Sequence, residues 1–500
     1  MRLSFTSGLA FTLLASSVTL VVDASAQGCP SDCLTTKGVP YVNSTDAQYA
    51  NLSAPFNLRL PYKPVVIVLP TTPQHVSDAV VCASESGIKV ASRSGGHSYA
   101  AFGLGGQNGS MVIDVRNFQD FSIDSNQVAK VGGGMRLGTM AQKLFNEGTR
   151  ALPHGTCSGI GIGGHATHGG YGYSSRLWGL TLDHIIAMDA VLPNGTYITT
   201  SMTSYPEIFY ALRGAAEFFG VVLNFYFQTE PAPSDVVWFT YTIPGLNESV
   251  EKATSAFIHL QDFARNSSVV DENLSFGTYV DRGVFLVRGI YTGTLASFDP
   301  IVTEMLRGLP SPSQNTTESI AWLDALTILD GTSLNPPVNE HDNFFAKSVT
   351  VPEISPLTED AVTNYFTYLI NEGANPDTGS WFSICNLYGG PGSQINTKTI
   401  DFAAYSDRDA LWVFQHYSSE PANVSFPATA FNFVQGMNTA LEQDMPNTTF
   451  GAYLNYIDPS LTPAEAHEEY YGSTLYAKLL ALKEVVDPGN IFWNPQAIGA

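Results

Sequence analysis

The 500-residue sequence predicts an α+β fold made of more than one domain. Three observations predict it. A strand–helix–strand unit stands near the start, 20 of the 44 glycines fall within residues 91–180, and aromatic strand-like runs alternate with longer loops from about residue 235 to 450. At roughly 100–200 residues per domain, two or three domains are expected. An apolar content of 44%, with 12% aromatic residues, is ample for large cores and argues against disorder.

Taken in order, the chain begins with Arg2, an apolar run from Leu9 to Val22 and the small residues Ala24 to Ala26. Residues 1–26 therefore read as a secretory signal peptide. No later segment offers the ~18 uncharged apolar residues of a membrane span, so a secreted, extracellular protein with no membrane partner is expected. N-x-S/T sequons at Asn43, Asn51, Asn108, Asn194, Asn247, Asn266, Asn273, Asn315, Asn423 and Asn447 agree with a glycosylated surface. The formal charge of −22 disfavours nucleic acid and anionic membranes. A neutral ligand such as a sugar or an alcohol feels little of that field.

"PVVIVLP" and "IKVAS" are β-rich and flank "TTPQHVSDAVVCASESG". In that stretch Thr72 can cap a helix, Pro73 suits its first turn, and Val76, Ala79, Val80 and Ala83 share a face. Gly87 is a plausible stop. "MVIDV" and "VAKVGGG" continue as strands and "RLGTMAQKLFNEG" as a second helix. Asn194-Gly195 between alternating runs signals a hairpin, and "FFGVVLNFYFQTEP" reads as a buried strand. These elements place one α+β domain at residues 60–235. Beyond Pro231 to Asp235, "LSFGTYV", "VFLVRGIY" and "DALWVFQHY" suggest an antiparallel sheet with one covered face. A capping box at Thr462 and Glu465 opens a last helix that stops near Pro488.

Five cysteines, Cys29, Cys33, Cys82, Cys157 and Cys385, leave at least one unpaired in an oxidising compartment. Cys33 and Cys82 are the preferred disulfide, both outside the glycine block, although sequence alone leaves other connectivities open. Cys157 sits in "HGTCSGIGIGGHATHGGYG", His154 to Gly172. A dinucleotide motif there lacks the required helix through "HGGYG". His154, His165 and His168 would hold zinc only if they converged, with no carboxylate nearby. A Cys–His hydrolase needs a depressed thiol pKa, and no G-x-S-x-G elbow exists. Attachment of a large flat ligand remains, because a second glycine-flanked residue, His97 in "ASRSGGHSYAAFG", could lie against it with bare backbone nearby.

At these two motifs the chain resembles the berberine bridge enzyme-like branch of the vanillyl-alcohol oxidase flavoprotein superfamily. Within it, the similarity is to fungal secreted carbohydrate oxidases of the glucooligosaccharide oxidase type. It runs from about Cys33 to Ile498 and includes "FNLRLPYKP", "GYGYSSRLWGLTLD", "LNYIDPSL" and "DPGNIFWNPQAI". The resemblance implies a two-subdomain FAD-binding domain at 60–235. It also implies a substrate-binding domain at 236–450, whose antiparallel sheet is backed by helices, and a C-terminal segment, 451–500, returning to the FAD domain. It implies covalent FAD, bonded by His97 at the 8α methyl carbon and by Cys157 at ring carbon 6. Arg93, Ser94, Gly95, Gly96 and Ser98 would line the cofactor from one motif, Thr156, Gly161 and Gly164 from the other, and Gly220 and Val222 from "FFGVVLNF".

The family further implies that Tyr456 in "LNYID" takes a hydroxyl proton while hydride moves to the flavin. Asn386 stands where the carbohydrate oxidases carry an aspartate that assists the tyrosine, and Ile384 where they carry a sugar-contacting glutamine. Tyr99 and Gln415 match substrate contacts. Ile160 stands where many family oxidases carry valine, and bulk there implies shielding of the flavin from oxygen. The expected activity is oxidation of the reducing-end hemiacetal of a mono- or oligosaccharide to the lactone, with oxygen or a quinone-like acceptor taking the electrons. The alternatives are the same chemistry on a primary or aromatic alcohol or a secondary metabolite, and a flavin-bearing binding glycoprotein with negligible turnover.

Overall fold

The structure, a computed structural model, describes residues 30–336 and 340–500. The expected signal peptide and Cys29 lie outside these residues. Three apolar runs, Val66–Val68, Met111–Asp114 and Val90–Arg93, pair in parallel, and Tyr41–Asn43 adds an antiparallel edge. Parallel pairing requires a crossover, and the helix Pro73–Glu85 supplies one between Val66–Val68 and Val90–Arg93. It begins and ends where its residues dictate: Thr72 accepts from His75 N at 3.2 Å, and Gly87 adopts φ +65° just beyond the last turn. Val76, Ala79, Val80, Cys82 and Ala83 are buried against the strands. Cys82 forms a disulfide with Cys33 of the helix Pro30–Thr36, the pairing preferred from sequence.

A five-stranded antiparallel sheet follows, ordered Phe121–Ile123, Val128–Gly132, Val221–Gln228, Ile185–Val191, Tyr197–Ser201. The Asn194-Gly195 signal closes the hairpin between its last two strands, with Gly195 at φ +79°. The helix Leu137–Gly148 packs Leu137, Met140 and Leu144 into the core around this sheet.

The third major sheet has seven antiparallel strands, ordered Gln314–Ala321, Asp235–Thr242, Phe285–Tyr291, Leu274–Val280, Ser380–Leu387, Ala410–Glu420, Asn343–Pro352. Side-chain alternation along its strands separates two faces. Trp381, Cys385 and Leu387 are buried in a cluster with Phe257, Phe366 and Phe433 of the helices Val250–Ala264, Glu359–Glu372 and Ala428–Glu442. Fully burying each such apolar side chain is favourable by about 1.5–3 kcal/mol. The alternate residues Phe382 and Ile384 line a cavity on the opposite face.

Buried polar side chains join the sheets. Arg176 donates to the carbonyls of Gly389, Asp271, Leu274 and Pro391, and Arg408 pairs with Asp183 at 2.7 Å. The capping box of Thr462 and Glu465 opens the helix Pro463–Val486 as expected, but Gly472, at φ +63°, breaks it into two segments. From its last turn Lys483 donates to Phe218 O and Phe492 O, and Phe492 bridges to Val90. None of the described helices is long and apolar enough to cross a membrane.

Candidate active site

Two loops build the floor of the cavity. The loop after the strand Val90–Arg93 carries Ser94 to Tyr99, and the loop before the short helix Ile162–Thr167 carries Thr156 to Gly161. They meet backbone to backbone. A Cβ on Gly95 would collide with Gly161 N, and one on Gly161 with Gly95 N, so only glycine at both positions permits the approach. Ser94 Oγ fixes the junction by donating to Gly133 O at 2.6 Å and accepting from Gly163 N at 3.2 Å. The guanidinium of Arg93 bonds Asp114 and the Leu52 carbonyl, each at 2.6 Å. What Arg93 offers the loop is its stem, against Gly96 and Gly103.

The cavity measures about 800 Å³, a size suited to a cofactor with a small substrate. Gly95, Gly96, His97 and Ser98 line it from the first loop, Thr156, Cys157, Gly161 and Gly164 from the second, and Gly220 and Val222 from the five-stranded sheet. All the residues expected to line a cofactor thus share one wall system. His97 stacks on Phe56, ring centres 3.6 Å apart. Its Nε2 is buried, lies 3.8 Å from Glu340 Oε2 and has no hydrogen-bond partner. The imidazole beside it holds the Glu340 carboxyl below its usual range. The Cys157 thiol opens into the cavity, and the depth of that cavity pushes it up to about 11.

The three histidines of the glycine stretch do not converge on one point. Gly155 N donates to His165 Nε2 at 3.1 Å, and burial pushes His165 down to about 3, so it stays neutral. His154 Nδ1 bonds Gly155 O at 2.7 Å. His168 lies 2.6 Å from Glu217; burial opposes its charge, but the carboxylate prevails and raises it.

One part of the cavity wall is a cluster of phenols, Tyr99, Tyr171, Tyr453 and Tyr456. Tyr456 sits on the turn Leu454–Tyr456 with its ring parallel to Tyr99 at 5.7 Å and edge-on to Tyr453 at 4.9 Å. Its hydroxyl is 3.3 Å from that of Tyr171. Asn386 Nδ2 donates to the same Tyr171 hydroxyl at 3.0 Å, while its Oδ1 is buried and unpartnered. Burial pushes Tyr456 well above the usual phenol range and Tyr171 up to about 12. The Tyr453 hydroxyl accepts from Gly170 N and Tyr171 N, both at 3.1 Å, which fixes the Tyr171 backbone. Tyr99 and Gln415, both expected to meet substrate, are joined to each other: Gln415 Nε2 donates to the Tyr99 hydroxyl at 2.7 Å.

Sequence reasoning did not single out Phe56, Tyr171, Glu340 or Tyr453. Phe56 and Tyr171 lie inside stretches that carried the resemblance, so position within a motif was their only signal. Glu340 had none, because a long chain separation hides its approach to His97.

Comparisons with known proteins agree with this geometry. A family model described as FAD binding domain matches residues 64–201, and one described as berberine and berberine like matches residues 452–499. The chitooligosaccharide oxidase of Gibberella zeae is 34% identical over 477 residues, covering 94% of each chain. The carbohydrate oxidase of Microdochium nivale is 34% identical over 499 residues, covering 98% of this chain and 99% of its own. A solved glucooligosaccharide oxidase from Acremonium strictum, whose FAD is 6-S-cysteinyl and 8α-N1-histidyl, superposes with a TM-score of 0.88. It is 30% identical and covers 94% of this chain and 99% of its own. A cradle of close-packed glycines with a histidine ring and an open thiol on the wall of one cavity fits such a cofactor, and the chain belongs to the berberine bridge enzyme-like family of FAD-dependent oxidoreductases.

Proposed function

We propose that this protein oxidises the reducing-end hemiacetal of a mono- or oligosaccharide to the lactone, on FAD tethered through His97 and Cys157. The observation that carries this reading is the Tyr456 hydroxyl, held 3.3 Å from Tyr171 in the cavity that also contains His97 and Cys157. The similarity to chitooligosaccharide, glucooligosaccharide and carbohydrate oxidases supports the sugar class.

Bound FAD supplies the two-electron acceptor for hydride from the anomeric carbon. Tyr456 takes the proton from the sugar hydroxyl. A free phenol has a pKa of ~10, and burial raises this one further. Tyr456 is therefore protonated at rest and takes the sugar proton as the phenolate, after its own proton has left to solvent, with the Tyr171 hydroxyl donating to the phenolate oxygen. Gln415 retains its Oε1 as an acceptor for a sugar hydroxyl while Nε2 holds Tyr99. Phe56 stacked on His97 and Glu340 beside its Nε2 fix the imidazole plane. Ser94 and the paired glycines, close-packed backbone on the cavity wall, would hold the dinucleotide.

In this reading residues 60–235 bind FAD, 236–450 bind substrate, and 451–500 bring Tyr456 back to the flavin. The ten sequons and the leader support a site of action outside the cell, with oxygen or a quinone-like molecule as electron acceptor. The test is acid precipitation of the purified protein, followed by addition of sugars under nitrogen. Yellow colour retained in the pellet and bleaching by a sugar are expected. Flavin released into the supernatant overturns the tether. A second reading, a primary or aromatic alcohol as substrate, is favoured by the apolar Ile384 on the cavity wall. Bleaching by such alcohols and by no sugar selects it.

A further inference from the structure

The seven-stranded sheet places one cation on the substrate side of the cavity without an acid to neutralise it. Arg288, on the strand Phe285–Tyr291, lines the cavity. Its guanidinium lies over the Tyr279 ring, 5.6 Å from the centroid, and it forms no hydrogen bond or ion pair among the described residues. The other arginine on the cavity wall, Arg93, is paired with Asp114. Nearby acids are committed elsewhere. Asp281 accepts from Gly283 N, Val284 N and the Tyr279 hydroxyl. Asp342 accepts from Tyr417, Asp330 from Ser158 N, and Glu340 faces His97. In a chain with 45 acidic and 23 basic residues, an arginine left unpaired inside a groove is available to a ligand.

Its setting defines the ligand. Tyr279 is also stacked with Phe382, centroids 5.6 Å apart, and its hydroxyl donates to Asp281, so the ring under the guanidinium is held at both its face and its tip. With one face of the guanidinium on the ring, its N–H edge is left for a planar acceptor, and a carboxylate matches that fork with two parallel bonds. Tyr279, under the guanidinium, pairs across the sheet with Ile384, and Ile384 with Gln415, and Arg288, Tyr279, Ile384 and Gln415 all line the cavity. Two strand spacings, roughly 10 Å, separate the strand of Arg288 from that of Ile384, which suits the ring next to the reducing end. The side chains between, Tyr279 and Ile384, carry no charge to repel an anion.

We propose that Arg288 makes this groove selective for oligosaccharides that carry a carboxylate, as a uronic acid unit, on the ring beside the oxidised reducing end. The proposal rests on the sugar-oxidising reading above. Its test compares the holoenzyme on cellobiose and on cellobiouronic acid, the same disaccharide with a carboxylate on the distal ring, by flavin bleaching under nitrogen. A charge-assisted bidentate contact predicts a tenfold to hundredfold higher kcat/KM for the acid, expressed in KM, on the order expected for such bonds. The advantage shrinks as salt is added. Arg288→Gln abolishes it while leaving cellobiose within about twofold, and Arg288→Lys retains part of it, which separates charge recognition from misfolding.

Equal or better use of cellobiose by the unmodified enzyme overturns the proposal, as does an Arg288→Gln variant that loses both sugars alike. An equal preference for a sulfated disaccharide overturns the assignment to carboxylate. If neither sugar bleaches the flavin, the sugar-oxidising reading fails. In that event a flavin difference spectrum on adding glucuronate, absent in Arg288→Gln, still supports the carboxylate site, and its absence in the unmodified protein overturns it.

Discussion

Asn386 Nδ2 donates to the Tyr171 hydroxyl, and that choice of donor sets the direction of the hydrogen bonds that reach Tyr456. An amide nitrogen only donates. Tyr171 oxygen therefore receives a hydrogen from Asn386, and the Tyr171 O–H is free to point at Tyr456. The arrangement stabilises a Tyr456 phenolate once formed but gives its proton no basic endpoint. An aspartate at 386 reverses the direction: Tyr171 donates to the carboxylate, Tyr456 donates to Tyr171, and a proton leaving Tyr456 has an acceptor. Asn386→Asp is expected to raise the rate of flavin reduction by sugar at neutral pH by about tenfold, less than the roughly 100- to 10,000-fold of a general base in direct contact because it acts through Tyr171, and to shift the pH profile toward acid. Stopped-flow reduction from pH 5 to 10 checks it. An unchanged profile would show that Asn386 only packs.

Tyr456→Phe removes the atom proposed to take the sugar proton while keeping the ring on Tyr99. Flavin reduction is expected to fall roughly 100- to 10,000-fold, with covalent flavin content and sugar binding retained. Tyr171→Phe should cost less, since water can replace it beside Tyr456, but its loss should flatten the alkaline limb of the profile. Because burial holds Tyr456 above the usual phenol range, the fraction of phenolate rises with pH, and the rate in the unmodified enzyme should climb toward alkaline pH. Equal activity in Tyr456→Phe removes Tyr456 from the proton transfer.

Ile160 is fixed beside Cys157: its N–H donates to Cys157 O at 3.3 Å and its carbonyl accepts from Leu137 N at 2.9 Å. The side chain is half-buried at the cavity wall and packed against the core. If Cys157 anchors the flavin, Ile160 covers the adjoining edge. Ile160→Val and Ile160→Gly are expected to accelerate reoxidation by oxygen in that order, with sugar-driven reduction within about twofold of the unmodified rate. Peroxide production measured against dye reduction separates the two half-reactions. Unaltered oxygen reactivity in Ile160→Gly removes the shielding role.

Much of this architecture was legible because local chemistry and global fold agree. Thr72, Pro73 and Gly87 bound one helix, Asn194-Gly195 one hairpin, and Thr462 with Glu465 the last helix, each by a short-range rule. That His97 and Cys157 share one cavity was legible because each stands in a glycine-rich stretch, and glycines mark close backbone approach. The parts that were not legible depend on contacts made across the fold. Tyr171 becomes functional only through Asn386 and Tyr456, more than 200 residues away. Asn343–Pro352 was missed as a strand because every side chain from Asn343 to Val351 is buried, which erases the alternation that betrays one-sided strands. Gly472 lies inside the expected last helix, and only its left-handed backbone shows the break.

The Cys33–Cys82 disulfide closes a loop with a sequence separation of 49 and fastens the first helix to the crossover helix. By restricting the unfolded chain it is expected to contribute about 2–4 kcal/mol. Replacing both cysteines by serine should lower the midpoint of thermal unfolding, with flavin attachment and sugar reduction unchanged at 25 °C, since neither residue lines the cavity. Loss of bound flavin in the double variant would instead tie this bridge to the cofactor.

Asp407 gives stability a dependence on pH. Burial raises its carboxyl to about 7, assisted by the neighbouring Asp409 and Glu469 carboxylates, while Arg408 is engaged by Asp183. An unfolded aspartate titrates near 3.9. Between about pH 4 and 7 the folded protein therefore holds a proton that the unfolded chain releases, and stability must fall as pH rises through that window. Glu469, also raised to about 7 mainly by burial, adds to the same slope. His165 and His416, pushed down to about 3 mainly by burial, oppose that slope below about pH 6.5, where the unfolded imidazoles take up protons, so the Asp407 contribution is read by comparison with a variant. Asp407→Asn keeps an oxygen to accept from Thr350 Oγ1, a bond of 2.8 Å in the unmodified protein, and removes one of the two titrations. That variant should match the unmodified protein near pH 5, exceed it near pH 8 and show a shallower decline between. Scanning fluorimetry of the flavin-bearing protein across this range reads the difference directly, and parallel declines in the two proteins would mean that Asp407 is already ionised in the fold at pH 5.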